Sequence, residues 1–345
     1  MKKIIKYSFV VVVVLAVVGA WLLLGSATTF EQGSKYFFVT ADADGKNAFE
    51  AQLASNNALR YPSIFMMVAN ATGVWEKIKP GRFELTSGES ILGFVRKLRN
   101  NKQASVKLVL NKERTPQDIA GLLAQQFQID SAGIVAFFSN NEALAPFEVD
   151  SNTVTTLFIP DTYYINWTTS IEKILQRLKK ERDAFWDKKD RLNKANALQL
   201  TPNQIYTIAS IVEEETNMND EKGNVASVYI NRYRKGMPLG ADPTIKYALR
   251  DFSIKRILFG HLEVKSPYNT YRNKGLPPGP ICTPSKTTID AVLNAPNTNY
   301  LFFVAKDDFS GYHKFSETYA EHQAYAKAYQ QKLDAYMAQK NNTSK

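Results

Sequence analysis

The stretch Thr201–Thr216, TPNQIYTIASIVEEET, decides how the rest of the chain is read. Thr201 is a good helix cap and Pro202 suits the first helical position. Gln204, three residues after Thr201, completes a capping box, so a helix starts here. At roughly 100° per residue, Ile205, Ile208, Ala209, Ile211 and Val212 share one broad arc, the buried side. Glu214 points away from that arc into water, and Glu213 lies at its edge beside Tyr206. Glu215 projects between the directions of Ile208 and Ile211, inside the apolar stripe. Desolvation raises the pKa of a carboxyl group on such a face, and a carboxyl protonated near neutral pH is what a general acid requires. The competing reading is that the helix ends at this point and Glu215 bends out to solvent or caps a neighbour.

The 345 residues have room for two modest domains, and 44% hydrophobic with 12% aromatic content suffices for packed cores. Lys2, Lys3 and Lys6 precede Ser8–Gly25, a run of about 18 residues without a charge. Its length, and Trp21 near its far end, favour an uncleaved transmembrane anchor, although a signal peptide could also be cut in the Gly25-Ser26-Ala27 region. Lysines before the span and Glu31 after it put the N-terminus in the cytoplasm and the bulk of the chain outside, on the inner (cytoplasmic) membrane. The single cysteine, Cys282, excludes an internal disulfide. His261, His313 and His322 lie far apart without metal-ligand spacing, so no metal is expected. The net charge of +10, from 43 Lys plus Arg against 33 Asp plus Glu, invites a nucleic-acid reading. The basic residues are scattered through helices, however, and a protein held at an anionic membrane has its own reason to be basic, so no nucleic-acid partner is expected.

After a polar tether, Lys35–Thr40 reads as a strand, with Ala48–Ala54 and Pro62–Val68 as helices. Lys79-Pro80-Gly81-Arg82 turns into a strand over Phe83–Leu85, a helix follows through Ile91, Phe94, Val95 and Leu98, and Val106, Leu108 and Leu110 alternate as in a strand. Thr115 opens a helix with Ile119, Leu122, Leu123 and Phe127 inside, and Phe137 and Phe138 close another. Leu157–Ile165 is a strand and turn beside a cleft, where Asp161 is either a turn residue or a functional acid. Thr169 with Glu172 opens a long helix, whose run of Lys179, Lys180, Arg182, Lys188 and Lys189 reads as a solvated face.

Beyond the glutamates, Asp220–Arg234 is helical and ends at Gly236, with Asn231 and Arg232 able either to reach a substrate or to cap carbonyls. Asp242-Pro243-Thr244 is a cap and first turn, or Asp242 is a second active-site carboxylate. Tyr268-Asn269-Thr270-Tyr271 leads into Gly275–Ile281, GLPPGPI, a rigid loop that is a sugar-binding wall or a structural crossover. Tyr300–Ala305 and Tyr312–Phe315 form a hairpin, and Glu317–Met337 an amphipathic helix. The fold class is α+β. Residues 1–7 are a cytoplasmic N-terminus, 8–25 a single transmembrane helix, 26–34 a tether, 35–112 a small α/β module, 113–340 a mixed α/β domain and 341–345 a disordered tail.

The ordered set ASIVEEET (Ala209–Thr216), VASVYINR (Val225–Arg232), ADPT (Ala241–Thr244), YNTY (Tyr268–Tyr271) and GLPPGPI resembles the YceG-like endolytic murein transglycosylases. KPGRFEL (Lys79–Leu85) and IPDTYY (Ile159–Tyr164) extend the resemblance over nearly all of the chain beyond the apolar span. One departure stands out: Thr283-Pro284-Ser285 occupies the place of the family's frequent Asn-Pro-Gly. The resemblance implies a LysM-like, wall-glycan-binding first module and a catalytic second domain whose acid is the last glutamate of the motif, here Glu215. It also implies cleavage within strands and a role in limiting strand length. Peptidoglycan glycan strands, the membrane and, as candidate partners, peptidoglycan synthases follow from it. Candidates for holding substrate are Asn231, Arg232, Asp242, Thr244, Tyr247, Asn269, Thr270 and Tyr271.

The chemistry this predicts needs no cofactor. Glu215 protonates the oxygen between N-acetylmuramic acid and N-acetylglucosamine; the sugar's own C6 hydroxyl then attacks C1, leaving a 1,6-anhydro end. Two other classes fit the same residues: a hydrolytic muramidase with Asp242 as second carboxylate, and a non-catalytic wall-binding scaffold. An aminodeoxychorismate lyase, a label similar sequences have carried, is disfavoured because no lysine is placed for a pyridoxal Schiff base.

Overall fold

The computed structural model describes residues 2–40 and 45–343. The fold is α+β, built of helices and small two-stranded sheets. Among the described residues it separates into two compact units, the first comprising residues 2–40, 45–108, 126–128 and 163–169 and the second the remaining described residues.

The first unit begins with helix α1 (Lys2–Leu24), followed by β1 (Ser34–Val39), α2 (Gly45–Asn56), α3 (Pro62–Ala71), β2 (Gly81–Thr86), α4 (Ile91–Arg99) and β3 (Val106–Val109). In α1, Ile4–Leu24 is long and apolar enough to cross a membrane and is exposed along most of its length, with Leu23 packed against the core of the first unit. The apolar stretch thus starts four residues before the expected Ser8. β1 and β2 pair antiparallel, Phe37 opposite Phe83, with α2 and α3 between them in sequence. Alternation sends Phe37, Val39, Phe83 and Leu85 inward, where Phe37, Phe49, Phe65 and Phe94 form a packed aromatic cluster. Ser90 caps α4 by accepting from the Gly93 amide. The expected tether is not free. Ala27 and Thr28 are buried, the Ala27 amide donates to the Glu89 carbonyl at 2.9 Å, and Thr28 bridges Leu59. Backbone groups that the sequence leaves to water are thus satisfied by the module itself.

The second unit holds α5 (Pro116–Gln126), α6 (Ser131–Ser139), α7 (Asn141–Leu144), the start of β4 (Thr162–Ile165), α8 (Ile171–Asp187) and α9 (Arg191–Ala197). It continues through α10 (Pro202–Glu215), α11 (Lys222–Arg234), α12 (Asp242–Leu249), α13 (Lys286–Leu293), β5 (Phe302–Ala305), β6 (His313–Ser316) and α14 (Tyr319–Thr343). α8 is entered from Ser170, one residue later than the Thr169 start the sequence suggests, and without a side-chain cap. α14 runs on through Asn341–Thr343, where the sequence predicts a tail; Ser344, Lys345 and Met1 lie outside the described residues.

The core of this unit is organised around α10. The Thr201–Gln204 capping box is complete. Every residue from Ile205 to Val212 is buried, so α10 is a central helix covered on all sides, not one with a single wet face. α11, α12 and α13 pack against it, contributing Val225, Ala226, Tyr229, Ile230, Tyr247, Ile289 and Val292. The GLPPGPI loop lies along the N-terminal half of α10: Leu276, Pro277 and Pro278 share a cleft with Asn203, Gln204 and Thr207, and the Ile281 amide donates to Ser210 Oγ at 3.0 Å. Gly279 is required there, since a Cβ would fall 2.0 Å from the Asn152 carbonyl oxygen. The loop thus runs along α10 from its first turns to Ser210, and none of its residues lines the cavity that Glu215 faces.

Candidate active site

The three glutamates that end α10 enter three different environments, because a step of about 100° per residue aims them at different neighbours. Glu213 points toward α13 and α11, accepting from Lys222 Nζ at 3.1 Å, Ser285 Oγ at 3.2 Å and Thr288 Oγ1. Burial pushes its carboxyl up, but Thr288, Lys222 and Ser285 together outweigh that and hold it below the usual carboxylate range. Glu214 does not reach open water. It pairs with Lys112 at 3.0 Å and Arg114 at 3.2 Å, residues of the strand-to-helix connection before α5.

Glu215 faces a cavity of about 550 Å³ whose wall includes Tyr229 and Arg232 of α11, Asp242 of α12, Tyr271, Phe302 of β5 and His322 of α14. Tyr229 Oη donates to Glu215 Oε1 at 2.5 Å, leaving Oε2 as the oxygen able to carry an acid proton. Burial raises the carboxyl to about 7; the hydrogen bond from Tyr229 opposes this, Asp242 adds to it, and Lys246 and Arg232 oppose it more weakly. Near neutral pH the group is therefore divided between acid and conjugate base, which suits a residue that first gives and then takes a proton. Its position is fixed from behind. Thr216 Oγ1 donates to Glu221 Oε1 at 2.6 Å and accepts from the Met218 amide, and Glu221 also accepts from the amide of His313 at 2.9 Å.

Four of the residues singled out from sequence line one cavity: Glu215, Arg232, Asp242 and Tyr271. Arg232 donates from Nε to the Leu301 carbonyl at 2.6 Å and from Nη1 to the Leu239 carbonyl, and burial lowers its pKa. Gly240, at φ +59°, lies where a Cβ would approach that guanidinium to 3.3 Å. Asp242 is the first residue of α12, with Ala241 in the cap position, and its exposed carboxylate accepts from Tyr271 Oη at 2.5 Å.

The remaining candidates are engaged elsewhere. Asn231 Nδ2 donates to the carbonyls of Thr298 and Tyr300. Thr244 and Thr270 hydrogen-bond each other, and Thr270 Oγ1 accepts from the Ala241 amide. Asn269, fully buried, donates to the carbonyls of Leu262 and Val264 and accepts from the Tyr271 amide, so it aims Tyr271 without facing the cavity itself. Tyr247 is packed between Tyr268, Phe252 and Arg250. Buried amides and hydroxyls satisfy backbone first, which is why these polar residues shape the site without entering it.

Asp161 is tied to Lys286, whose hydrogen bond lowers its pKa, and takes no part in the cavity. Ser285 adopts φ −61°, ψ 152° and caps α13 by accepting from the Thr288 amide, so this turn has no need of the glycine usual in the resembled sequences. Sequence reasoning missed Tyr229, Phe302, Tyr319 and His322. Tyr229 is in register to be found, since α11 packs on α10, but the aromatic wall from β5 and α14 carries no local signal.

The profile of the YceG-like family matches residues 28–328. The chain belongs to the YceG-like family. A 2.6 Å crystal structure of a YceG-like protein from Listeria monocytogenes is similar in fold, with a TM-score of 0.54 and 28% identity, covering 85% of this chain and 99% of that one. An endolytic murein transglycosylase of Bacillus subtilis is 37% identical over 164 residues, 47% of this chain and 44% of that protein. One of Streptococcus pneumoniae strain R6 is 34% identical over 152 residues, 42% of this chain and 27% of that protein. The YceG-like chain thus spans less than half the length of these curated relatives.

Proposed function

We propose that this YceG-like protein is a lytic transglycosylase of peptidoglycan, with Glu215 as its single acid and base. The observation that carries the reading is the Glu215 carboxyl, raised to about 7 by burial and opening onto a cavity large enough for sugar rings. Protonated on Oε2, Glu215 donates to the oxygen linking N-acetylmuramic acid to N-acetylglucosamine as an oxocarbenium-like centre develops at C1. Tyr229, already donating to Oε1, stabilises the carboxylate that results. The ionised Glu215 then accepts the proton of the C6 hydroxyl as its oxygen attacks C1, an intramolecular step with an effective molarity on the order of 10⁵ M or more when well oriented. The product carries a 1,6-anhydro end.

In this reading α1 is a single-pass anchor holding the catalytic unit outside the cytoplasmic membrane, and the first unit is a LysM-like glycan-binding module. The β1–α2–α3–β2 order with its antiparallel strand pair supports the latter. Cleavage within nascent strands would limit their length, and peptidoglycan synthases are the natural partners. A hydrolytic muramidase is the second reading, favoured by the presence of the Asp242 carboxylate on the same cavity wall.

Mass spectrometry of glycan ends separates them. Peptidoglycan incubated with the protein should yield 1,6-anhydro-N-acetylmuramic acid ends, absent with Glu215→Gln. Reducing ends would transfer the chemistry to a water held by Asp242, and the absence of any cleavage would leave a binding protein.

A further inference from the structure

The wall facing Glu215 contains a histidine for which the proposed chemistry has no use. α14 starts with a capping box: Thr318 Oγ1 accepts from the Glu321 amide, and Glu321 Oε2 accepts from the Thr318 amide. This fixes the first turn of the helix, and with it Tyr319 and His322, on the rim of the cavity. The imidazole of His322 stacks on Phe302 at 5.3 Å with 25° between the rings. Tyr319 lies tilted against both, and the Arg232 guanidinium is 5.2 Å from the Phe302 ring. These contacts orient the histidine ring without hydrogen bonding to it.

Its protonation state follows from the surroundings. Desolvation, aided by the charge of Arg232, lowers the pKa of His322, so the ring is neutral at neutral pH. Nδ1 is sealed from solvent with no hydrogen-bond partner. A buried N–H without an acceptor is rarer and costlier than a buried lone pair, so Nδ1 is the bare nitrogen and Nε2 carries the hydrogen. The side chain makes no hydrogen bond among the described residues, and Nε2–H is a single, fixed donor on a residue that lines the cavity. A neutral donor beside an aromatic wall suits a sugar that stacks its C–H face on the rings and offers a carbonyl oxygen at its edge, as an N-acetylated hexosamine does.

We propose that His322 is a specificity-determining residue that donates from Nε2 to the acetamido carbonyl of a sugar seated against Phe302 and Tyr319. This rests on the reading of the cavity as a glycan site and adds to it a residue that selects for N-acetylation.

The test uses the full-length protein in detergent with Glu215→Gln, so that ligand is bound but not cut. Soluble glycan oligomers are titrated calorimetrically, N-acetylated and de-N-acetylated. His322→Phe keeps the stack and loses the donor. It should weaken binding of the acetylated oligomer by about tenfold, the range of one neutral hydrogen bond, and leave the de-N-acetylated oligomer unaffected. His322→Gln, which restores an N–H near the position of Nε2, should recover most of the loss. Equal binding of the acetylated oligomer by His322→Phe and its parent would overturn the inference. So would an equal loss for both oligomers, a Gln variant no better than Phe, or a parent that binds neither oligomer. The assignment of Glu215 rests separately on the product ends made by the unmutated protein, so the two can fail independently.

Discussion

Glu213 and Glu215 are the same residue type, two positions apart on one helix, and both are largely withdrawn from water, yet their carboxyl groups are driven in opposite directions. Beside Glu213 stand a buried lysine and two hydroxyls, and the group stays ionised. Beside Glu215 there are one tyrosine hydroxyl, a carboxylate on the same cavity wall and, among the described residues, no cation in salt-bridge contact, and the group is pushed to about 7. Burial alone therefore does not make a general acid. What separates the two carboxyl groups is whether the low-dielectric surroundings also supply a contacting cation.

The largest effect that would break this comparison is on activity. Glu215→Gln is expected to reduce glycan cleavage on the order of 10³-fold. The same variant tests the direction of the shift. Between about pH 4.5 and 7 the unfolded chain ionises Glu215 while the folded protein keeps it protonated, so the wild type loses stability as pH rises through this window. Glutamine escapes that loss, and the melting temperature of the variant relative to wild type should rise from pH 4.5 to 7 and then level off. A constant difference would mean that Glu215 is not buried as an acid.

Next in size is the partner of Glu213. Lys222→Met leaves a buried carboxylate without its cation and should lower stability by about 3 kcal/mol in denaturant titration at pH 7. Because Glu213 is held below its ordinary value, its contribution is present above about pH 4.5 and is lost as pH falls through its folded pKa. The gap between variant and wild type should therefore narrow in acid.

Smaller again is Tyr229→Phe, which removes the one hydrogen bond that holds the Glu215 pKa down. Turnover should fall by about tenfold, in line with one charge-assisted hydrogen bond, while the alkaline limb of the rate profile moves to higher pH. An unmoved limb would detach Tyr229 from the acid. The smallest effect is expected at Glu214→Ala, where two part-exposed ion pairs are lost, about 1 kcal/mol of stability with no change in the pH profile.

Several features were legible in residues close together in the chain. The capping box, the apolar period of Ile205, Ile208, Ile211 and Val212, and the ordered motifs sufficed to locate α10 and to name Glu215 as the candidate acid. Glu214 shows where such reasoning stops. A helical projection says which side of a helix is apolar, but α10 is covered all round, and the side read as wet faces Lys112 and Arg114 instead. Asn269 and Thr270 illustrate the same limit for polar residues: their motif looked like a substrate clamp, and their hydrogen bonds go to backbone and to each other.

By itself, then, the sequence determined the apolar N-terminal helix, the α+β class, and the start and period of the central helix. Those are consequences of spacing and composition over a few turns, where backbone geometry is the same in every protein. Only the tertiary structure decided which side chains share a cavity with that glutamate. Tyr229, Asp242, Tyr271, Phe302 and His322 come from five separate segments, and their meeting depends on packing of the whole second unit. The shift of Glu215 is a property of that meeting, because desolvation and Coulomb interactions depend on distance in space, which no local spacing encodes.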